Sequence, residues 1–303
     1  MSKKSLHYDI IFVGLGASTC ILIIEMEKKS LLKGKKILII EPSDKLENDK
    51  TFCFWANRND EIFQSFKSII TKSWTSIRIN DNQSSKIHPI EYFHVDSIDL
   101  YDWTREISSK FKIEHSKEKV LSINESETLL VNTKENNYSS SWIFDSRPPD
   151  FKNIPNREFN ISQSFFGLKV ELKENELDKS VYHMMDFRVP QDESTQFVYI
   201  LPYNSNSALI ELTRFGKKII DKLEAEKVLD KFITKNFGSY KDDEYVIFKL
   251  NSDCIDEDDF EEDDLFPHGI IVDYQIPYSY VIDIINTRDL FGKFNDDDFD
   301  SLY

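Results

Sequence analysis

A nearly continuous apolar run, Tyr8-Asp-Ile-Ile-Phe-Val13, passes directly into Gly14-Leu-Gly16, and a second run, Lys36-Ile-Leu-Ile-Ile40, ends in Glu41. Few folds accommodate that order. Strands apolar on both faces belong inside a parallel sheet covered by helices, and parallel neighbours need a helical crossover between them. Residues from Ala17 to about Lys29 supply that helix.

The chemistry such a unit favours is anion binding. Two glycines permit a tight turn and close approach of a pyrophosphate, and a helix starting at Ala17 turns its positive N-terminal dipole toward it. Glu41, at the end of the second strand, is placed to accept ribose hydroxyls. Gly14, Gly16, Ala17 and Glu41 are therefore candidate cofactor-binding residues, although Thr19 stands where the dinucleotide fingerprint has its third glycine. The acid favours an unphosphorylated ribose, hence FAD or NAD rather than NADP. The alternative is a βαβ unit that is structural only.

The 303 residues, 40% of them hydrophobic, suffice for one large or two ordinary domains. With 54 acidic residues against 38 Lys and Arg, the formal charge of −16 repels phosphate backbones and excludes nucleic acid as a partner. Cys20, Cys53 and Cys254 are widely spaced and odd in number, and the six His residues form no pair at ligand spacing, so neither a disulfide framework nor a metal is expected. These cysteines fit a reducing, cytoplasmic compartment. No apolar stretch reaches spanning length, so the expectation is a chain that is neither exported nor membrane-spanning, with peripheral membrane contact left open.

After a polar stretch, Thr51-Phe-Cys-Phe-Trp55 reads as an aromatic core strand. Trp74 to Ile79 and Lys86 to Val95 alternate and are broken by Asn80-Asp-Asn-Gln-Ser-Ser85, which predicts a small antiparallel insertion near 73–95. Ser97 opens a helix carrying Ile98, Leu100, Trp103 and Ile107. Three short strands then form a meander, the last running from Tyr138 to Phe144 and ending in Asp145. An acid there either reaches back to the cofactor or serves an ordinary turn.

Gln163-Ser-Phe-Phe-Gly167 and the strand from Leu168 to Leu172 open a second region. Within it, Phe197-Val-Tyr-Ile-Leu-Pro-Tyr203 and Ala208-Leu-Ile-Glu-Leu-Thr213 flank the turn residues Asn204-Ser-Asn-Ser207 and read as a hairpin. Alternation sends Ala208, Ile210 and Leu212 to one face and Leu209, Glu211 and Thr213 to the other. Glu is seldom buried without a partner, so the default expectation is that the Glu211 face meets water. The other reading puts Glu211 on the floor of an apolar cavity, where desolvation makes it a proton donor near neutral pH. Asp186 and Arg188 share a face of the preceding segment; the Arg either holds a neighbouring carboxylate ionised or makes a surface ion pair, which is the default.

An amphipathic helix follows from Ile219 to Phe237, stopped by Gly238. Beyond Tyr240 the character changes to the acidic run Asp253 to Asp264 and later Asp296-Asp-Asp298, expected to be solvated or disordered. Gly269 to Pro277 is a strand candidate within it. The division expected is a dinucleotide-binding domain over 1–150, a substrate domain over 151–240 and an acidic segment over 241–303.

Taken in order, Tyr8-Asp-Ile-Ile-Phe-Val-Gly-Leu-Gly16, Thr51-Phe-Cys-Phe-Trp55, Phe144-Asp-Ser-Arg-Pro148, Gln163-Ser-Phe-Phe-Gly167, Met185-Asp-Phe-Arg-Val-Pro-Gln191, Phe197-Val-Tyr-Ile-Leu-Pro202 and Leu209-Ile-Glu-Leu-Thr213 resemble the lycopene β-cyclase family. The resemblance implies an α/β fold: a Rossmann-like FAD-binding domain of the glutathione reductase type with an antiparallel β-sheet substrate domain. It further implies non-covalent FAD, working in its reduced form with NAD(P)H as reductant. The implied reaction is an isomerisation in carotenoid biosynthesis, cyclising the linear ψ ends of lycopene or a similar linear carotenoid to β rings. The implied place is the cytoplasmic, inner face of a membrane, as a peripheral protein.

By this resemblance Gly14, Gly16 and Glu41 hold FAD and Glu211 carries activity, with Leu212 standing where some relatives have a second acid. The candidate catalytic residues are Glu211, Asp186 and Arg188; the candidate cofactor residues are Gly14, Gly16, Ala17, Glu41 and Asp145. Two other readings stay open. One is a flavin-dependent oxidoreductase or hydroxylase acting on an apolar substrate. The other is a truncated or inactive cyclase-like protein, because the family's Ile-Pro-Met and Pro-Ser-Thr-Gly-Tyr segments are not found in residues 241–303.

Overall fold

The computed structural model describes residues 5–125, 129–147, 162–173, 177–216 and 218–248. The acidic runs and the strand candidate at Gly269 to Pro277 lie outside the described residues. The chain divides into two units. The first takes the described residues up to Lys45 together with Tyr101–Arg147, and the second takes Leu46–Leu100 together with the described residues from Ser162 to Phe248. The units are thus interleaved along the sequence, which a single cut near residue 150 does not describe.

In the first unit β1 (Ser5–Val13), α1 (Ala17–Lys28) and β2 (Ile37–Ile40) form the expected βαβ element. Elements are numbered along the whole chain, and β3 to β7 belong to the second unit. After α3 (Ser97–Phe111) come β8 (Glu114–Ser116), β9 (Val120–Glu125), β10 (Leu129–Thr133) and β11 (Asn137–Asp145). The sheet order is β8-β2-β1-β11-β10-β9, with β8, β2, β1 and β11 mutually parallel and β9-β10-β11 an antiparallel meander. The two apolar runs lie inside this sheet because both their faces are covered. Ile11, Phe12 and Ile39 are fully buried.

The second unit starts with β3 (Thr51–Ala56), α2 (Glu61–Phe66), β4 (Ile70–Trp74), β5 (Ser76–Ile79), β6 (Ser85–Lys86) and β7 (Glu91–Asp96). It continues with β12 (Ser162–Leu172), β13 (Val181–Asp186), β14 (Thr195–Pro202), β15 (Ser207–Gly216), α4 (Lys222–Phe237) and β16 (Tyr240–Phe248). These strands make a seven-stranded sheet, β16-β12-β15-β14-β13-β5-β6, and a three-stranded one, β3-β7-β4. The larger sheet is antiparallel except where β13 runs parallel to β5.

Two expectations change here. The alternating segments near 73–95 do pair antiparallel with one another, β4 with β7 and β5 with β6, but they do not stand apart as a separate insertion: β7 also joins β3, and β5 joins β13 at the edge of the larger sheet. Alternation fixes which face a side chain takes but not which strand becomes its neighbour. Residues 241–248 do not break away from the domain before them, since they continue β16 along β12.

One face of the larger sheet is covered by α4, whose Ala225, Leu229, Phe232 and Ile233 pack on Ala208, Ile210 and Leu212 of β15 and Val198 and Ile200 of β14. Asp221 caps α4 by accepting from Glu224 N, and Gly238, at φ +75°, ends it. Among the described residues no helix is long and apolar enough to cross a membrane.

Candidate active site

The turn after β1 has the features a pyrophosphate needs. Gly14 adopts φ +89°, and a Cβ there would fall 2.4 Å from Ser146 Oγ, so the position tolerates no side chain. Gly16 is the N-cap of α1 and offers no side-chain cap to its first turn, which begins at Ala17. Glu41 holds the turn from the other side, accepting from Leu15 N at 2.8 Å through Oε2 and from Ser43 N at 2.9 Å through Oε1. Each oxygen keeps a second acceptor site for a ribose hydroxyl.

A cleft of about 400 Å³ opens beside Glu41, lined also by Leu15, Ser43, Arg105, His115 and Lys117. Thr19, in place of the third glycine, is buried against the sheet. Asp145 is in register with Val13, next to the turn, but its carboxylate is engaged by Arg147 through N at 3.1 Å, Nε at 2.9 Å and Nη2 at 2.8 Å. Gly14, Gly16, Ala17 and Glu41 together fit an adenine dinucleotide; Asp145 stands beside them with its acceptors largely taken.

In the second unit, β15 pairs Glu211 with Tyr199 of β14 on one side and with Gly167 of β12 on the other. Cross-strand partners share a face, so Gly167 puts no side chain beside the acid. Glu211 is 7% exposed, and its face does not meet water as the default expectation had it. The cover comes from the three-stranded sheet: Trp74 and Tyr92 pack with Tyr182, Leu201 and Leu209, and Trp74 Nε1 donates to Pro202 O at 3.0 Å. Burial pushes the Glu211 carboxyl up to about 8, against a hydrogen bond from Thr213 Oγ1 to Oε1 at 3.2 Å. At neutral pH the group is an acid with a proton to give.

Aromatic rings stand on the same side. Tyr92 and Tyr182 stack at 4.6 Å, and Trp55 lies 4.7 Å from Tyr92 and 5.7 Å from Tyr182. Trp74 is 5.8 Å and 6.0 Å from the same two rings. Burial raises the Cys53 thiol to about 12, Tyr92 partly offsetting this by donating to it, with Glu211 among the groups that raise it. Tyr199 is pushed up by burial first and then by Glu211, and Tyr182 by burial and its neighbours Tyr199 and Cys53. Thiol and phenols therefore stay neutral while Glu211 titrates.

Asp186 and Arg188 are not at this acid. Asp186 pairs with Val198, whose neighbour across the ladder is Leu212, and so belongs to the α4 face rather than the Glu211 face. Nor is it a surface ion pair. Asp186 is fully buried and accepts from Arg188 Nε at 2.9 Å and Nη2 at 2.6 Å, while Arg188 Nη1 reaches Asp81 at 3.2 Å. Burial pushes the Asp186 carboxyl up, but the Arg188 bonds and charge outweigh it and leave the group below the usual range.

Sequence reasoning did not assign Trp55, Tyr92, Tyr182 and Tyr199 to the site. The aromatic density of β3 was a signal, but its partner residues come from β7 and β13, far away in sequence.

No curated protein matches the chain in sequence. Solved structures share its fold at low identity. A geranylgeranyl bacteriochlorophyll reductase-like protein from Thermoplasma acidophilum is 12% identical with a TM-score of 0.58, over 80% of this chain and 66% of that one. Halogenase PltM in complex with phloroglucinol and FAD is 13% identical with a TM-score of 0.54, over 79% and 59%. OxyS anhydrotetracycline hydroxylase from Streptomyces rimosus is 11% identical with a TM-score of 0.53, over 78% and 51%. The chain spans less than two thirds of the length of each. The architecture is α/β with the Rossmann-like FAD-binding fold of such enzymes. The sequence model of the lycopene cyclase protein family matches residues 9–236, a span that includes both the glycine turn and the Glu211 strand. This is well over half of the chain, which belongs to the lycopene cyclase protein family.

Proposed function

We propose that the chain cyclises the linear ends of lycopene or a similar linear carotenoid to β rings, with Glu211 as the proton donor. The observation that carries this reading is a carboxyl group buried among aromatic side chains and still protonated at neutral pH. An alkene is a weak base, and a dry acid facing apolar rings suits its protonation better than a solvated carboxylate does.

Glu211 gives its proton to the terminal double bond of the chain end, leaving a tertiary cation. The neighbouring double bond attacks it, one carbon–carbon bond closes the ring, and a ring carbon returns a proton to the Glu211 carboxylate to restore a double bond. Atoms and electrons balance without net redox change. The buried aromatic face excludes water that would otherwise capture the cation, and Thr213 fixes the orientation of the acid.

FAD is the group that the first unit would hold, with Gly14, Gly16 and Ala17 at the pyrophosphate and Glu41 at the ribose. In its reduced form, with NAD(P)H as the proposed reductant, it would supply electron density to the chemistry. A carotenoid dissolves in lipid rather than water, so the proposal places the protein on a membrane surface, on the cytoplasmic side.

The test is expression in a host that accumulates lycopene. Monocyclic or bicyclic carotenes are expected from the wild type and none from Glu211→Gln folded to the same extent; full activity of Glu211→Gln would remove the assignment. Consumption of nicotinamide cofactor in proportion to product would point instead to an oxidoreductase or hydroxylase on an apolar substrate.

A further inference from the structure

The rings on the Glu211 side divide by exposure. Tyr182 and Trp74 are buried, whereas Trp55 is 37% exposed and Tyr92 is only partly covered. Trp55 and Tyr92 therefore have ring surface that a ligand can reach, and Tyr182 and Trp74 lie behind, setting their angle through contacts of 4.6 to 6.0 Å. Cys53, two residues before Trp55 and on the same face of β3, is close enough to Glu211 to feel its charge, so this ring-bearing face looks toward the acid. Beside Glu211 within the sheet, the position on β12 is Gly167, which contributes no side chain.

We infer that Trp55 and Tyr92 form a cation-binding wall, which receives the positive charge of the cyclising end once Glu211 has given its proton, with Tyr182 and Trp74 as positioning residues behind it. The inference rests on the reading of Glu211 as proton donor and adds the residues that set the fate of the cation. The face of an indole or phenol ring attracts positive charge most strongly where water is excluded. The neutral thiol and phenols around the acid add no competing anion: burial raises Cys53 to about 12.

Binding separates this wall from mere packing. The flavin-loaded protein is titrated by calorimetry with an alkyl trimethylammonium and with its neutral isostere, in which carbon replaces nitrogen. Trp55→Leu should weaken ammonium binding about 3- to 30-fold while leaving the isostere unchanged, and Trp55→Phe should recover part of the loss, as expected for a cation over a ring. Equal loss for both ligands, or no loss for either, overturns the inference. Tyr92→Leu and Tyr92→Phe repeat the comparison from the other ring, and Trp55, being partly exposed, keeps the test alive where Tyr92→Leu does not fold. In turnover, Trp55→Leu should lower kcat with KM little changed; if Glu211→Gln abolishes product while Trp55→Leu leaves kcat intact, the wall falls and the acid stands. If the wild type forms no cyclic product at all, the acid assignment falls, and the ammonium titration decides the wall by itself.

Discussion

Thr213 donates its hydroxyl proton to the carboxyl group of Glu211 from the same strand and the same face, 3.2 Å from Oε1. The bond favours the charged form of an acid that burial otherwise keeps neutral up to about pH 8. A proton donor works only while protonated, so cyclisation should decline as pH rises through about 8. Thr213→Val removes a contact that favours ionisation and should move the alkaline limb higher, by up to about one pH unit for a bond worth about 1 kcal/mol. A pH–rate profile of both proteins checks this, and a limb that moves lower would contradict it.

The same acid sets a stability trend. Its carboxyl is raised in the folded chain, so between the ordinary carboxyl value and about 8 the folded state holds a proton that the unfolded state has lost. Stability should therefore fall as pH rises through that window. Urea midpoints across it should slope less in Glu211→Gln than in the wild type.

Glu41 joins the two halves of the nucleotide-binding turn through Leu15 N and Ser43 N. Glu41→Ala should lose both these bonds and the ribose acceptors. A drop of about 10- to 100-fold in FAD affinity is expected from a lost charge-assisted contact, read as flavin absorbance retained after gel filtration.

At Gly14 a methyl group would meet Ser146 Oγ at 2.4 Å on a backbone already at φ +89°. Gly14→Ala should cost about 1–3 kcal/mol and lower Tm. Because the clash is with a hydroxyl, the double variant with Ser146→Gly should recover the steric part and leave the backbone part, so the two losses should not add.

Asp186 and Arg188 form the fifth test. Arg188→Ala leaves a buried carboxylate without its counter-charge, and because the guanidinium itself is 36% exposed the cost belongs at the low end, about 2–3 kcal/mol. Asp186 has a depressed value in the fold, so the stability it contributes is present above its unfolded value and is lost as pH falls through the folded one. The difference between Arg188→Ala and wild type should be full at neutral pH and fade in acid, as chemical denaturation at both pH values would show.

How far the sequence reads into this structure depends on distance along the chain. The βαβ unit is local: two apolar runs, a glycine turn and an acid carry their own physics, and the strands and helix form almost where the pattern puts them. The face on which Glu211 lies was equally readable from alternation. What covers that face was not, because Trp74 and Tyr92 reach it from strands that precede it by more than a hundred residues. Asp186 illustrates the same limit. Its bond to Arg188 is local and was anticipated as an ion pair, but its full burial on the α4 face of the larger sheet depends on elements remote in sequence, which alternation cannot name.

The last strand has a practical consequence for anyone who shortens this chain. β16 starts at Tyr240, after the family-matched span has ended at residue 236, and it flanks β12 opposite β15. A fragment trimmed to the family's own limits would strip β12 of one of its two neighbours and open a row of amide and carbonyl groups along an apolar strand. Such an edge recruits strands from other molecules. Clumping of a fragment ending at residue 236 would then report the position of the scissors, and a fragment carried through Phe248 is the fair starting material for any measurement of this unit.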